Sequence, residues 1–368
     1  MAVRPFGIAA TLSDATALTA AFGAGAKIGI GATAAIGLDI LAPADLHLRP
    51  VEAAAALKPG YGQYIFTFGN TDSGIDPARI GPILDQLAFG CGTGFLCACL
   101  ATPWAGRTVF QGHLFQDGRL QSDLRRDLAP YIDGAIAILP HETVAAGAQA
   151  ISAQLTALKE RGVRLALLDA IDEDCSHIAA AVARQPVIAG PAWISPQTAS
   201  EETGTRRCGP LAMLSGALHR QTLMQAAAAR LSMPVLDLDP GLPDRPAQLA
   251  DALAWAKPHF GTTPFLITTS APPDRQQPGA PAAGLLAEIA LALHGAGIRR
   301  FVLAGNDTAA AVLNRLDITE LTAGAAFAGL RWLQSKDTDI LIKPGGFGSK
   351  NLFLYDFEPQ SRLNEPAE

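Results

Sequence analysis

Short apolar runs recur along this chain, each closed by a glycine, a proline or a polar turn and followed by a stretch with helical spacing. That alternation constrains the fold more than any other feature, because strands separated by helix-length segments are joined by crossovers, and crossovers make parallel sheets covered by helices. The spacing predicts strands at Phe6 to Leu12, Lys27 to Ile30, Tyr64 to Phe68, Gly94 to Leu100, Arg164 to Leu168 and Val187 to Ala189. Between them it predicts helices at Ser13 to Phe22 (Ser13 or Asp14 capping), Val51 to Leu57, Pro77 to Phe89, Val144 to Arg161 and Asp174 to Arg184.

Residues 195–208 break the pattern with a polar stretch poor in large apolar groups, which reads as a linker. The alternation then restarts. Strands are expected at Leu211 to Ser215, Pro234 to Asp237, Pro264 to Thr269, Arg300 to Ala304 and Asp339 to Lys343. Helices are expected at His219 to Leu231, Ala247 to Ala256, Ala282 to Ala296 and Thr308 to Leu316. At 368 residues the chain exceeds one ordinary core, so the expectation is an α/β protein of two domains, 1–194 and 209–368. Each would be a largely parallel sheet flanked by helices, with the ligand site in the cleft between them.

Hydrophobic residues make up 49% and charged residues 17%, which excludes a disordered chain. A formal net charge of −6 offers no basic field for nucleic acid or an anionic membrane. No apolar run reaches membrane-spanning length, and the N-terminal run is too short for a signal segment, so a soluble, cytoplasmic protein is expected. Five cysteines, an odd number, argue against a disulfide framework. Cys91, Cys97 and Cys99 lie among Phe95, Leu96 and Leu100 and read as a buried strand rather than a metal site. Whether the chain forms a homo-oligomer is left open.

Three stretches carry the candidate chemistry. In Gly106-Arg-Thr-Val-Phe-Gln-Gly-His-Leu-Phe115, Arg107 offers a planar fork of donors suited to carboxylate or phosphate, and His113 can donate, accept or carry charge near neutral pH. The same run also reads as a strand and turn on a surface edge. Strand Arg300 to Ala304 runs into Gly305-Asn-Asp-Thr308 and a helix, where glycine lets the backbone approach a ligand and the helix N-terminus presents unpaired N–H groups to phosphate, although Asp307 also suits a cap. Lys343-Pro-Gly-Gly-Phe-Gly348 follows another strand, with Lys343 as a point charge; it is no Walker A loop. Two glycine loops at strand ends of one α/β domain point to a nucleotide.

These motifs, with Ile80-Gly-Pro82 and Leu214-Ser-Gly216, occur in the order of the four-carbon acid sugar kinases (3-oxo-tetronate, threonate and erythronate kinases), which the chain resembles over nearly its whole length. The resemblance implies an N-terminal domain that binds a small acid sugar and a C-terminal domain that binds ATP with magnesium (Mg2+). It implies Arg107, Gln111, His113 and Ser73 on the substrate side, and Ser215, Gly305, Asp307, Thr308, Lys343, Gly345, Gly346 and Gly348 on the nucleotide side. The chain departs from the family in its first domain. Where members open Ala-Asp-Asp, this chain reads Ala9-Ala-Thr-Leu-Ser-Asp-Ala-Thr-Ala17, with Ala10 and Thr11 in place of both acids. The Lys-Ser-Arg loop is replaced by Ala42-Pro-Ala-Asp-Leu-His47, and Phe66 stands at the place of a lysine before Asp72 and Ser73.

A kinase needs a group to orient or deprotonate the attacking hydroxyl, which leaves Asp72 and Asp14 as the catalytic candidates. Three readings stay open at this level: a divergent sugar-acid kinase, a non-catalytic ligand- or nucleotide-binding relative, and an enzyme of another class on the same fold.

Overall fold

The computed structural model describes residues 5–31, 38–44, 47–57, 61–69, 75–172, 175–195, 207–261, 263–269 and 280–357. The chain divides into two compact units, Met1–Glu202 and Thr203–Glu368.

In chain order the first unit contains β1 (Pro5–Ala9), α1 (Leu12–Phe22), β2 (Lys27–Ile30), β3 (Ile40–Ala42), α2 (Pro50–Ala55), β4 (Gln63–Thr67), α3 (Pro77–Gly90) and β5 (Leu96–Ala98). Then come β6 (Arg107–Phe110), β7 (His113–Gln116), β8 (Arg119–Asp123), α4 (Leu124–Leu128), β9 (Ala135–Leu139), α5 (His141–Ala145), α6 (Ala148–Glu160), β10 (Val163–Leu168), α7 (Cys175–Val182) and β11 (Val187–Gly190). Its main sheet runs β2-β3-β1-β4-β11-β5-β10-β9, every pairing parallel. Such strands are buried on both faces, and Ile8, Ile40, Ile65, Phe66, Cys97 and Leu167 are inaccessible to solvent.

The second unit contains β12 (Leu211–Ser215), α8 (Arg220–Ala229), β13 (Val235–Asp237), α9 (Arg245–Ala256), β14 (Phe265–Thr268), α10 (Ala280–Gly295), β15 (Arg300–Ala304), α11 (Asn306–Arg315), β16 (Glu320–Phe327), β17 (Leu330–Gln334) and β18 (Asp339–Lys343). Its strands run β13-β14-β12-β15-β18-β17-β16, parallel through β18 and antiparallel beyond. Trp332, Phe353 and Phe357 close its core beside Leu211, Met213 and Leu341.

Local chemistry explains the element ends. Asp76 and Asp244 cap α3 and α9 by accepting the N–H groups of Ala78 and Ala247, each with proline in the first turn. The segment expected as one helix from Val144 to Arg161 is instead two, because Gly147 (φ 98°) takes a conformation that a helix interior excludes. Cys97 and Cys99 lie in or beside β5, fully buried, and burial pushes the Cys97 thiol up to about 12. Among the described residues no group of three or more His, Cys, Asp or Glu side chains is placed to hold a metal ion, and no helix is long and apolar enough to cross a membrane.

Candidate functional site

In each unit the parallel strands end on one side, where the chain turns into the next helix and backbone N–H groups are left over for a ligand. Asp14 in the first unit and Ser215, Gly305, Asp307, Thr308 and Lys343 in the second lie at those ends, whereas Arg107, Gln111 and His113 belong to the separate hairpin β6-β7.

In the first unit β1 delivers Ala10 and Thr11 to the start of α1. The Ala10 N–H donates to the Thr67 carbonyl at 2.9 Å, and the Ala10 carbonyl accepts from Leu48 N–H at 3.0 Å, so the turn is tied to its neighbours on both sides. Thr11 caps α1: its hydroxyl accepts the Asp14 N–H at 3.2 Å and donates to Asp14 Oδ2 at 2.8 Å. Asp14 is therefore a buried carboxylate, 2% exposed, in the first turn of a helix whose dipole favours negative charge. Asp72 and Ser73 lie outside the described residues. Phe66, at the place of the expected lysine, is fully buried in β4 with its ring centroid 5.1 Å from that of Phe68.

Arg107 opens β6 and is 7% exposed. Its Nε donates to Thr102 Oγ1 at 2.9 Å, and its guanidinium also donates to the Gly69 carbonyl, just past β4. The arginine thus joins the hairpin to the loop that leads toward residue 72. Gln111 (φ 49°) and Gly112 form the turn between β6 and β7, and His113 lies across the ladder from Phe110, roughly 10 Å along the strand from Arg107 at ~3.3 Å per residue. His113 Nδ1 lies 3.0 Å from the Gln111 carbonyl, and its Nε2 lies 4.0 Å from Asp123 Oδ2. The two basic groups of the Gly106–Phe115 stretch therefore occupy opposite ends of the hairpin.

What holds the turn is a residue that sequence reasoning missed. Asp169 follows β10, is 0% exposed, and accepts the Gln111 N–H at 2.6 Å and the Gly112 N–H at 3.0 Å. Burial raises its pKa; the N–H groups of Gly112, Gln111 and His141 pull against that rise. In sequence Asp169 is one acid after an apolar strand, and nothing local marks it as the anchor of a turn 57 residues away.

In the second unit Ser215 ends β12 and is followed by Gly216, whose N–H donates to Thr308 Oγ1 at 3.1 Å. A Cβ on Gly216 would lie 2.6 Å from that hydroxyl and 3.2 Å from Leu286 Cδ1, so only glycine fits. Gly305 (φ 105°) caps α11 and donates its N–H to the Lys343 carbonyl at 3.0 Å, linking the two glycine loops. Asp307, in the first turn of α11, is exposed, whereas Thr308 is 1% exposed. Ser215 Oγ and Thr269 Oγ1 are buried with no hydrogen-bond partner among the described residues. Thr269, beyond β14, is a second residue that the sequence reading missed.

Lys343 faces inward. It is fully buried, and its Nζ donates to Thr222 Oγ1 at 2.5 Å and to the Gly345 carbonyl at 2.8 Å, 5.9 Å from the centre of the Phe353 ring. Gly345, Gly346 and Gly348 (φ 86°) form the loop beyond it, packed on α8.

A profile described as a sugar-binding N-terminal domain matches residues 41–197, and one described as a nucleotide-binding C-terminal domain matches residues 212–353. The chain is 31% identical over 338 residues to a 3-oxo-tetronate kinase of Burkholderia multivorans, covering 80% of this chain and 79% of the relative. It is 33% identical over 333 residues to one of Methylobacterium radiotolerans, covering 78% of each. A solved structure from Salmonella typhimurium LT2, provisionally described as a tRNA synthase, is 25% identical with a TM-score of 0.80 and spans 95% of this chain and 98% of that one. A Haemophilus influenzae structure, 22% identical with a TM-score of 0.71 over 95% and 98%, shares the fold.

Proposed function

The chain belongs to the four-carbon acid sugar kinase family, and from that premise we propose that it transfers a phosphoryl group from ATP to a hydroxyl of a small sugar acid. The observation that carries the nucleotide half is the pair of buried, unpartnered hydroxyls, Ser215 Oγ and Thr269 Oγ1, at adjacent strand ends beside a glycine that admits no side chain. Buried polar atoms without partners are rare in folded proteins, and a phosphate would satisfy both.

Bound there, ATP would supply the electrophilic phosphorus; the protein's part is positioning and charge stabilisation. Ser215, Thr269 and Thr308 with the first N–H groups of α11 would hold phosphate oxygens, and Gly305, Gly345, Gly346 and Gly348 would let the backbone approach. Asp307, exposed in the same turn, and Lys343, which acts through the loop it holds, complete this side. Among the described residues no group of three or more His, Cys, Asp or Glu side chains is placed to hold an ion, and Mg2+ would arrive with the phosphates. On the acid's side Arg107, Gln111, His113 and Ser73 would bind the carboxylate and hydroxyls. Asp14, its Oδ2 already fixed by Thr11, would take the hydroxyl proton, with Asp72 as the other candidate.

A coupled ADP-release screen over tetronates, 3-oxo-tetronates and neutral sugars tests the reading, with calorimetry for ATP. Turnover of a four-carbon acid supports it. ATP binding without turnover of any sugar favours instead a non-catalytic relative, for which Ala10, Thr11 and the core-buried Phe66 are the specific observations.

A further inference from the structure

Helix α8 turns a polar stripe onto the glycine loop that follows β18. Gln221 Nε2 donates to the Gly348 carbonyl at 2.5 Å, Thr222 Oγ1 donates to the Gly345 carbonyl at 2.6 Å, and Gln225 Nε2 donates to the carbonyls of Phe347 and Ser349 at 2.9 and 2.8 Å. Thr222 and Gln225 are 1% and 0% exposed, and Lys343 Nζ reaches the Gly345 carbonyl from within. Four of the five carbonyls from 345 to 349, all but that of Gly346, are thus drawn toward α8.

In a trans peptide the carbonyl of one residue and the N–H of the next point in opposite directions. Holding the carbonyls of 345, 347 and 348 against α8 therefore turns the N–H groups of Gly346, Gly348 and Ser349 away from it. None of these three amides has a hydrogen-bond acceptor among the described residues. Successive N–H groups turned to one side make an anion cradle.

We propose that Gln221, Thr222 and Gln225 are positioning residues that preset the 345–349 loop, so that the amides of Gly346, Gly348 and Ser349 receive a phosphate of the nucleotide. A glycine-rich loop left to itself loses the most backbone entropy on ordering. The α8 bonds meet that loss during folding rather than at each binding event. Lys343 then serves the nucleotide indirectly, as the inner half of the same latch. The inference rests on the nucleotide reading of this unit.

The test uses full-length wild type, Thr222→Val, Thr222→Ser and Gln225→Met, with three measurements: hydrogen exchange of the Phe347 amide in the loop without ligand, ADP affinity by calorimetry, and the KM for ATP against kcat. Thr222→Val and Gln225→Met should speed exchange of the Phe347 amide, the one in the loop that is hydrogen-bonded (to the Pro344 carbonyl, 3.1 Å), at least tenfold. They should weaken ADP and raise the KM for ATP by roughly tenfold or more, since each removes two buried hydrogen bonds, with kcat changed less than about threefold. Thr222→Ser, which restores the hydroxyl, should return all three values to wild type. Unchanged loop exchange in folded variants, or a serine variant as impaired as the valine one, overturns the latch while leaving the kinase reading intact. A wild-type protein that binds no ADP overturns both.

Discussion

Asp169→Asn tests whether one buried carboxylate sets the shape of the β6-β7 hairpin. The wild-type group is inaccessible to solvent and uses one oxygen for the Gln111 N–H (2.6 Å) and the other for the Gly112 N–H (3.0 Å). An asparagine keeps one acceptor and must aim its NH2 at the other N–H. The change removes one charge-assisted bond of about 1.5–3 kcal/mol and strands a buried donor at about 1–3 kcal/mol. Part of this is offset because the neutral amide is cheaper to bury than the ion. A net loss of roughly 2–4 kcal/mol, at ~2–4 °C per kcal/mol for a unit of this size, lowers Tm by about 5–15 °C in scanning calorimetry at pH 7. Amide exchange at Gln111 and Gly112 should accelerate in parallel. The acid's pKa is raised in the fold, so its ionisation opposes folding: its contribution is full below the unfolded value near ~3.9 and is lost as pH rises through the folded value. The asparagine cannot titrate, so the stability gap between the two proteins should widen on acidification. A Tm within about 1 °C of wild type together with unchanged exchange would refute the anchoring argument.

Arg107→Lys keeps the charge but cannot fork to both Thr102 Oγ1 and the Gly69 carbonyl, and should lower Tm by about 2–8 °C; thermal unfolding of the purified variant checks this, and an unchanged Tm with lost sugar binding would assign the arginine wholly to ligand. Gly216→Ala should weaken ADP more than tenfold by calorimetry, since the new methyl meets Thr308 Oγ1 at 2.6 Å where the cradle closes. For Glu52, burial raises the pKa but the Arg49 hydrogen bonds and charge outweigh it, leaving it lowered. Its stabilising contribution is present above the unfolded value of ~4.3 and is lost as pH falls through the folded one, so the Tm difference between wild type and Arg49→Ala should shrink below about pH 4.

Much of the fold was legible because strand and helix periodicity is written in neighbouring side chains. The spans at Lys27–Ile30, Leu211–Ser215, Arg300–Ala304 and Asp339–Lys343 coincide with the expected strands. Elements that do not alternate with helices were read least well: Gly106 to Phe115 reads as a strand and turn and forms β6, its turn and β7, whereas β8, the hairpin β16-β17 and the short β3, whose three residues carry too little pattern, escaped the reading. In the site, the glycines at 216, 305 and 348 were recognisable because turns and close approaches demand glycine whatever lies across from them. The stripe of α8 left a faint signal, Thr222 and Gln225 three apart on the buried face beside Ala226 and Ala229, polar where apolar groups were due.

The α/β class, the two-part organisation and the glycine turns at the strand ends were open to the sequence alone, since these follow from local periodicity and conformational freedom. Partners were beyond it. Lys343 reads as an outward charge at the end of a strand, yet its ammonium is inside, tied to a threonine 121 positions away. Asp169 reads as an ordinary turn acid, yet it clasps a hairpin 57 positions back. Strand order decides which strand ends become neighbours, and strand order is a property of the closed core; only the tertiary structure could say which way a lysine points or which turn a buried carboxylate holds.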